Sequence, residues 1–161
     1  MPDIKTVAMR LLDQANISYL VHTLPTEEVH NAQEVADLLG VVPEKVFKTL
    51  VTTGKSGKHY VFMLPALAEL DLKKAAKAAG EKSVEMLPLK ELLGLTGYVH
   101  GGCSPIGMKK PYPVFIDETA LLFDRIAVSA GVRGLQIHLS PTGLSEFVGA
   151  RLCDITRSAF R

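Results

Sequence analysis

One lysine interrupts an otherwise apolar run of the sequence. Lys48 stands in the segment VFKTL, and strand alternation would place its side chain on the same face as Val46 and Leu50. A lysine there either extends past its aliphatic neighbours into water, as lysines of edge strands commonly do, or lines a pocket where its ammonium group binds an anion or polarises a carbonyl group. The spacing alone favours the first alternative.

A long segment rich in glycine and proline, GYVHGGCSPIGMKKPYP, covers residues 97–113. Irregular loops of this length inside compact domains are often functional. Here Gly101 and Gly102 would let the backbone approach a ligand closely and direct N–H groups at developing negative charge. A glycine pair more commonly forms a tight turn with positive φ, and that alternative stays open.

Cys103 follows this glycine pair and is the first candidate for a nucleophile. A nucleophilic cysteine needs a base, and the only nearby candidate is His100, three residues earlier on the same predicted loop. This spacing is weak evidence for a catalytic pair. A packed cysteine without a chemical role is the favoured interpretation.

A second turn built from small residues, VSAGVRGLQI, covers residues 128–137 and contains Ser129, Gly131, Arg133 and Gly134. A glycine-rich connection between two strands is the simplest interpretation. The functional alternative is a contact between Arg133 and a ribose-phosphate, because the planar guanidinium group suits phosphate recognition.

Common catalytic signatures are absent from the sequence, including GxSxG, the Walker A loop, HExxH and GxGxxG. The five histidines stand singly. The two cysteines, Cys103 and Cys153, are too few for a disulfide framework and fit no zinc motif. We therefore expect no metal and no cofactor.

The composition is that of one globular domain, which we expect to span residues 1–161. Hydrophobic residues make up 47% of the chain and charged residues 22%, which excludes a disordered protein. The 18 basic and 17 acidic residues nearly cancel, whereas a protein that grips nucleic acid by its phosphates alone is usually far more basic. The sequence shows neither a signal peptide nor a membrane span, so we expect a cytoplasmic protein without a membrane partner.

The elements that must position these residues follow from periodicity and from capping residues. Asn31 and Glu34 form a capping box, Gly40 ends the same helix, and the sequence GKSGK predicts a hairpin. Helices are predicted at residues 6–15, 31–40, 70–79, 88–93 and 141–148, and strands at 17–22, 46–53, 59–64, 114–117, 126–129 and 135–139.

Helices and strands are interspersed irregularly, without the strict βαβ alternation of a doubly wound sheet. We therefore predict an α+β fold in a single domain, with a curved, mixed and barrel-like β-sheet surrounded by helices.

In their order along the chain, VFKTL, LDLKKAAKAAG, TGYVHGGCSPIGMKK and VSAGVRGLQI resemble the YbaK/EbsC family of tRNA-editing proteins. The resemblance covers nearly the whole chain and includes the spacing between the segments. The combination of LDLKK and GGCSPIG is most similar to the subgroup that acts on cysteine mischarged onto proline tRNA.

This resemblance implies a curved mixed sheet and a pocket for the aminoacyl end of tRNA. Lys48 corresponds to the family's central lysine, which reverses the preference for a solvated side chain and makes it the candidate catalytic residue. Gly101 corresponds to the pocket glycine and Ser129 to a polar pocket residue. The candidate substrate-binding residues are Thr49, Gly101, Gly102, Ser129, Arg133 and Gln136.

Three positions depart from the family pattern. Leu24 and Asn31 stand where the most similar members carry aromatic residues, and Gln136 stands where they carry an aspartate. A lost aromatic side chain and a lost carboxylate would alter which amino acid fits and how its amine is held.

The resemblance also implies a mechanism that needs no protein nucleophile. An aminoacyl ester is already activated, so the enzyme mainly orients it and polarises its carbonyl group. In the family's substrate-assisted chemistry the cysteinyl thiol attacks its own ester and leaves as a cyclic thioester. Lys48 would anchor the substrate or stabilise the carbonyl oxygen, and the backbone of Gly101 and Gly102 would shape the pocket.

Two alternatives stay open at this point. One is a deacylase that uses water to remove alanine or another small amino acid, for example from Ala-tRNA(Pro). The other is a non-catalytic module that binds aminoacyl-tRNA or docks on a synthetase. The nearly balanced charge is compatible with prolyl-tRNA synthetase as a partner that supplies tRNA affinity.

Overall fold

The computed structural model describes residues 5–25 and 31–157. Within these ranges the helices are α1 (Val7–Gln14), α2 (Ala32–Leu39), α3 (Leu72–Ala79), α4 (Leu89–Thr96) and α5 (Pro141–Val148). The strands are β1 (Tyr19–Thr23), β2 (Phe47–Gly54), β3 (His59–Pro65), β4 (Val84–Met86), β5 (Val114–Asp117), β6 (Ile126–Ser129), β7 (Leu135–Leu139) and β8 (Arg151–Cys153). Short 3₁₀ helices cover Pro43–Lys45 and Glu118–Leu122.

The described strands form two sheets. One has three antiparallel strands in the order β1-β7-β6, and the other has five in the order β4-β2-β3-β5-β8. The larger sheet is mixed, because β5 runs parallel to both β3 and β8 while β2 is antiparallel to β3. A single parallel bridge between Val46 and Ala127 connects the two sheets. The α+β prediction is confirmed, but the described strands do not close into one barrel.

The predicted hairpin is confirmed and carries the candidate catalytic lysine. Strand β2 pairs with β3 along its whole length, with Lys48 opposite Leu64, whereas β4 pairs only with the far end of β2 from Thr52 to Gly54. Around Lys48, the edge of β2 that does not pair with β3 is therefore not covered by β4 either. This is the part of the strand that faces the second sheet.

Local capping explains where the helices begin. The Asn31 side chain accepts a hydrogen bond from the Glu34 amide at 2.9 Å, which confirms Asn31 as the N-cap of α2. Its Nδ2 also donates to the Glu34 carboxylate at 2.6 Å, a side-chain contact and not the backbone bond that defines a capping box. Gly40 ends α2 in the left-handed conformation, with φ of 69°. Ser140 caps the N-terminus of α5 as Asn31 caps that of α2, because its hydroxyl accepts a hydrogen bond from the Gly143 amide.

Helix α4 is longer than its sequence predicts. The sequence places its end before Gly94, but the helix continues through that residue and ends at Gly97, whose φ is 87°. Tertiary packing explains the difference, because Leu92 and Thr96 are buried and the Thr96 hydroxyl donates to the Leu92 carbonyl at 2.8 Å. A glycine inside a helix costs only about 1 kcal/mol, which this burial offsets.

The first strand begins later than its sequence indicates. Ile17 donates its amide to the Leu12 carbonyl at 3.0 Å, so it completes the end of α1 and not the start of β1. Strands β4 and β8 are absent from the sequence prediction. Each has only three residues and is an edge strand of the larger sheet, so its pairing is decided by the neighbouring strand and not by its own pattern.

The main core lies between α1, the larger sheet and the smaller sheet. Its members include Met9, Leu12, Met63, Ile116 and Ile137, all at most 1% exposed. A smaller cluster packs α2 against the bridge between the sheets through Val35, Val46 and Ala127.

Among the described residues, no helix has the length and apolar composition that a membrane crossing requires.

Candidate active site

A cavity of about 740 Å³ opens where the two sheets meet. Its walls come from distant parts of the chain: β2, the N-terminal turn of α2, the segment around α4, the loop before β5, and the ends of β6 and β7. The predicted site residues that line it are Lys48, Thr49, Gly101, Ser129 and Gln136. Gly102 and Arg133 do not line it.

Lys48 reaches the cavity from the middle of β2 and is half-buried. Its ammonium group donates a hydrogen bond to the Ala68 carbonyl at 2.7 Å. Burial lowers the pKa of Lys48, and the nearby Glu69 carboxylate partly opposes this shift. An ammonium group has three N–H donors, so two remain for a ligand after the bond to Ala68.

A polar wall is formed by β6 and β7. Ser129 and Gln136 are opposite each other in the antiparallel register, so both side chains lie on the same face of the smaller sheet. The Ser129 hydroxyl accepts a hydrogen bond from the Gly131 amide at 3.1 Å, which fixes its position. The Gln136 Oε1 is buried and has no hydrogen-bond partner among the described residues.

Gly101 lies on the exposed edge of the cavity with a φ of 86°, beside His100. Both interpretations of this glycine are therefore compatible with the structure, since it lines the cavity and also adopts a left-handed turn. The loop is anchored internally, because the buried Tyr98 hydroxyl donates to the Ile106 carbonyl.

Gly102 and Arg133 join the two glycine-rich segments outside the cavity. Gly102 is buried, and a β-carbon on it would lie 3.1 Å from the Arg133 amide nitrogen and 3.2 Å from backbone atoms of Val132. The Arg133 Nε donates to the His100 carbonyl at 2.8 Å. These two residues therefore position the pocket loop, while a direct substrate contact for either stays a prediction.

Cys103 lines the cavity and belongs to the main hydrophobic core. Burial raises the pKa of its thiol to about 12. The group is therefore protonated at neutral pH and is a poor nucleophile. This agrees with the interpretation of Cys103 as a packed residue.

The cavity also has an apolar wall, which the sequence did not predict. The residues Ala66, Leu67, Met86, Leu87, Leu89 and Leu92 line the cavity. Three of them are also solvent-exposed, Leu67 by 44%, Met86 by 45% and Leu89 by 64%. The signal in the sequence was the group of leucines at residues 87–93, which the sequence prediction used only for a short helix at 88–93.

Two of the positions that depart from the family pattern differ in their surroundings. Asn31 lines the cavity while capping α2. Leu24 is buried against Val35 and Ala127 and does not line the cavity.

In the described part of the chain, no group of three or more His, Cys, Asp or Glu side chains is placed to hold a metal ion.

The fold and the cavity define a small α+β domain with a ligand pocket, a half-buried cation and, among the described residues of the pocket wall, no activated protein nucleophile. The chain belongs to the aminoacyl-tRNA editing domain family, whose model matches residues 26–147. It is 46% identical over 153 residues to EbsC of Enterococcus faecalis, a protein named for deacylation of Cys-tRNA(Pro) and Cys-tRNA(Cys). This match covers 94% of the chain and 93% of EbsC.

The chain is also similar to part of a proline–tRNA ligase and to a solved editing protein. The chain is 32% identical over 94 residues to the proline–tRNA ligase of Kosmotoga olearia, a match that covers 58% of this chain and 16% of that enzyme. A solved structure described as a trans-editing enzyme for prolyl-tRNA synthetase superposes with a TM-score of 0.83 at 26% identity. The superposition covers 97% of this chain and the whole of the other.

Proposed function

We propose that this protein is a free-standing deacylase that removes cysteine from mischarged tRNA, with Cys-tRNA(Pro) as the main substrate and Cys-tRNA(Cys) as a second one. The similarity to EbsC supports the substrate class. The observation that carries the mechanism is the half-buried ammonium group of Lys48 in a cavity whose own thiol, Cys103, is held protonated by burial.

The proposed reaction uses the nucleophile of the substrate. The cysteinyl sulfur attacks the carbonyl carbon of its own ester, a C–S bond forms, and the ester C–O bond breaks. The products are a cyclic thioester and tRNA with a free ribose hydroxyl, which takes up the proton that the thiol loses. Such an intramolecular step gains from effective molarities of about 10⁵ M or more, so orientation by the pocket is the main requirement.

Lys48 stabilises the negative charge that develops on the carbonyl oxygen. Its bond to the Ala68 carbonyl fixes the ammonium group, so little reorganisation is needed when the charge develops. In a partly desolvated cavity this interaction is stronger than it would be in water. Thr49, Ser129 and Gln136 add polar contacts. The Gln136 Oε1, which has no hydrogen-bond partner among the described residues, is the acceptor for the substrate's ammonium group.

The size of the cavity supports a substrate larger than an amino acid. A volume of about 740 Å³ is within the range of about 300–1,000 Å³ that is typical of sites for drug-sized ligands. We assign the exposed apolar edge of Leu67, Met86 and Leu89 to the terminal nucleoside of the tRNA. Arg133, whose guanidinium group is exposed next to His100, is the proposed contact for a ribose-phosphate.

A single editing domain spans residues 1–161 and acts in the cytoplasm on the aminoacyl 3′ end of tRNA. The chain's formal net charge is only +1, so we propose prolyl-tRNA synthetase as a partner that contributes to tRNA selection.

A deacylation panel tests the proposed chemistry. Purified protein is incubated with tRNA(Pro) charged with cysteine, serine or alanine, and loss of the aminoacyl ester is followed over time. Substrate-assisted chemistry requires rapid release of cysteine and little release of serine or alanine. Comparable release of alanine would instead favour water as the nucleophile. Binding of aminoacyl-tRNA without any deacylation would identify a non-catalytic module.

A further inference from the structure

Helix α4 carries an exposed apolar ridge that begins at the cavity and consists of Leu89 and Leu93. Leu89 lines the cavity and is 64% exposed. Leu93 follows one helical turn later, is 55% exposed and does not line the cavity. Residues four apart lie on the same side of a helix, with β-carbons about 5–6 Å apart. The apolar surface therefore continues from the edge of the cavity along the outside of α4.

Lys90 borders this ridge on the side away from the cavity. At about 3.6 residues per turn, Leu93 lies about 40° round the helix from Leu89, and Lys90 lies about 100° round in the same direction. The buried Leu92, which also lines the cavity, lies about 60° from Leu89 in the other direction. A ligand that leaves the cavity over α4 would therefore meet Leu89, then Leu93 and then the exposed Lys90.

A second ammonium group reaches the same side of α4 from the long glycine-rich segment. Lys109 donates its amide to the Thr96 carbonyl at 3.1 Å and its Nζ to the Gly94 carbonyl at 3.3 Å. Gly94 is four residues after Lys90, so the two lysines meet the helix about one turn apart. The bond to Gly94 uses one of three N–H donors, which leaves two for a ligand. A lysine that only stabilises the end of a helix would make the same bond, so the test includes a stability measurement.

Glu85 and Glu91, the acidic residues that flank α4 and its ridge in the sequence, point away from the ridge. Glu91 lies about 200° round the helix from Leu89. Glu85 directly precedes Met86 in β4, so alternation places it on the opposite face of the strand from Met86, which lines the cavity. The ridge side of α4 therefore carries positive charge, although the whole chain has a formal net charge of only +1. Apolar surface bordered by lysines is complementary to a single nucleic-acid strand, which has apolar base faces and negative phosphates.

We propose that the ridge and its two lysines bind the single-stranded nucleotides that precede the terminal nucleoside of the tRNA. This inference rests on the proposed function, because it takes the terminal nucleoside to lie at the cavity edge beside Leu89. The preceding bases pack on Leu89 and Leu93, and Lys90 and Lys109 neutralise phosphates of the same strand. A single strand fits better than a duplex, because the bases of a duplex are stacked and do not expose their faces.

The first test compares three substrates that carry the same amino acid: aminoacyl-adenosine, the aminoacylated trinucleotide CCA and aminoacyl-tRNA. Aminoacyl-adenosine lacks the preceding bases and their phosphates, so it does not reach the ridge. The double variant Lys90→Gln/Lys109→Gln should lower kcat/KM about tenfold on the trinucleotide and on tRNA, the size of two solvent-exposed ion pairs. Its kcat/KM on aminoacyl-adenosine should equal that of the wild type.

The control for this double variant is Lys58→Gln/Lys77→Gln, which removes two exposed lysines that lie outside α4 and do not line the cavity. It should leave kcat/KM unchanged on all three substrates. Thermal melts of both double variants measure the contribution of Lys109 to the end of α4. A lysine with only that structural role would lower Tm without a selective loss on the two longer substrates.

Leu93→Gln tests the apolar part of the ridge. Glutamine has a helix propensity close to that of leucine, so the exposed position should tolerate it. Loss of the apolar contact should lower kcat/KM about threefold on the trinucleotide and on tRNA, and not on aminoacyl-adenosine. Leu72→Gln is the control, because Leu72 is an exposed leucine of α3, 41% accessible, and does not line the cavity.

The salt dependence of binding provides a measurement that does not need catalysis. For uncharged tRNA, the slope of log affinity against log salt concentration should become less steep by about 0.7 for each single-strand phosphate that Lys90→Gln/Lys109→Gln no longer neutralises. Lys58→Gln/Lys77→Gln should keep the wild-type slope.

The possible outcomes distinguish this strand site from the proposed function. Equal losses on aminoacyl-adenosine and on the trinucleotide, or an unchanged salt slope, would overturn the strand site even if deacylation is confirmed. A loss that appears only with full tRNA, or only when prolyl-tRNA synthetase is added, would also overturn it, because the ridge would then contact a duplex or a protein. A wild-type protein that deacylates none of the three substrates would refute the proposed function, while a less steep salt slope in the double variant would still support the strand site.

Discussion

The amide nitrogen of Arg133 lies 3.1 Å from the position that a β-carbon on Gly102 would occupy. Because Arg133 also donates from its Nε to the carbonyl of His100, the two glycine-rich segments of the chain are fastened to each other beside the cavity. These two attachments fix the position of Gly101, which lies between His100 and Gly102 in the pocket loop.

This close approach predicts the effect of Gly102→Ala. The added methyl group would have to displace backbone atoms and not a flexible side chain, so the free energy of unfolding should fall by about 1–3 kcal/mol. The rate of deacylation by the folded fraction should fall as well, because the loop must move. Gly143→Ala is the control, since its β-carbon would meet only ordinary neighbours at 3.7 Å. Wild-type stability of Gly102→Ala in urea unfolding would contradict the assigned packing.

Lys48→Ala should reduce kcat/KM by about 10²-fold or more, the usual effect of removing a group that stabilises an oxyanion. Removing the hydrogen bond to Ala68 should lower the free energy of unfolding by about 1 kcal/mol, so the fold should persist. Single-turnover deacylation and thermal melts measure the two effects.

Lys58→Ala removes an exposed lysine from the hairpin turn and serves as the charge-matched control for Lys48→Ala.

Since burial lowers the pKa of Lys48, its ammonium form is lost at a lower pH than that of an exposed lysine. Enzymatic activity should therefore decline with rising pH before an exposed lysine would titrate. Near-normal turnover by folded Lys48→Ala would remove the lysine from the mechanism.

Cys103→Ala should retain activity within about threefold, because the attacking sulfur belongs to the substrate. Cys103→Ser should also be active but less stable, since a buried hydroxyl without a partner costs about 1–3 kcal/mol. The pKa of about 12 for this thiol predicts slow alkylation in the native protein at neutral pH. A covalent adduct between Cys103 and the aminoacyl group, detected by mass spectrometry, would establish a protein nucleophile instead.

Gly101→Ala should lose activity beyond its loss of stability. Its φ of 86° means that any β-carbon carries a conformational penalty of about 1–2 kcal/mol. Gly97→Ala is a closely matched control, because Gly97 has a φ of 87° and lies outside the cavity. With activity normalised to the folded fraction, only Gly101→Ala should be impaired. Equal normalised activity of both variants would make Gly101 a structural turn residue.

Gln136→Leu should separate stability from binding. The buried Gln136 Oε1 has no hydrogen-bond partner in the part of the chain that the structure describes. Replacing this partly buried amide with an apolar side chain of similar size should therefore leave the free energy of unfolding unchanged or raise it by up to about 1–3 kcal/mol. If the amide binds the substrate's ammonium group, KM should rise. Gln14→Leu, exposed at the end of α1, is the control and should change neither quantity. An unchanged KM in Gln136→Leu would exclude that interaction.

Elements governed by neighbouring residues could be predicted from the sequence. The side chains of Thr6, Asn31 and Ser140 accept hydrogen bonds from backbone amides and so cap the N-termini of their helices. The β2–β3 hairpin forms where two alternating segments flank a glycine-rich turn. Helix α4 is longer than its sequence predicts because Gly94 resembles a helix terminator, whereas burial of Leu92 carries the helix past it.

For the candidate site, the chemical groups could be predicted from the sequence: a lysine in an apolar strand, two glycine-rich segments, and a family resemblance that linked them. Local spacing specifies such motifs, since each lies within a few residues. Which of these groups share a cavity depends on contacts between distant parts of the chain. Lys48 and Gln136 come from different sheets, and the bridge between Val46 and Ala127 that brings the sheets together joins residues far apart in the chain. The same long-range pairing of β1 with β7 stacks His22 on His138, because strand partners are selected by the packing of the whole core and not by the residues beside them in the sequence.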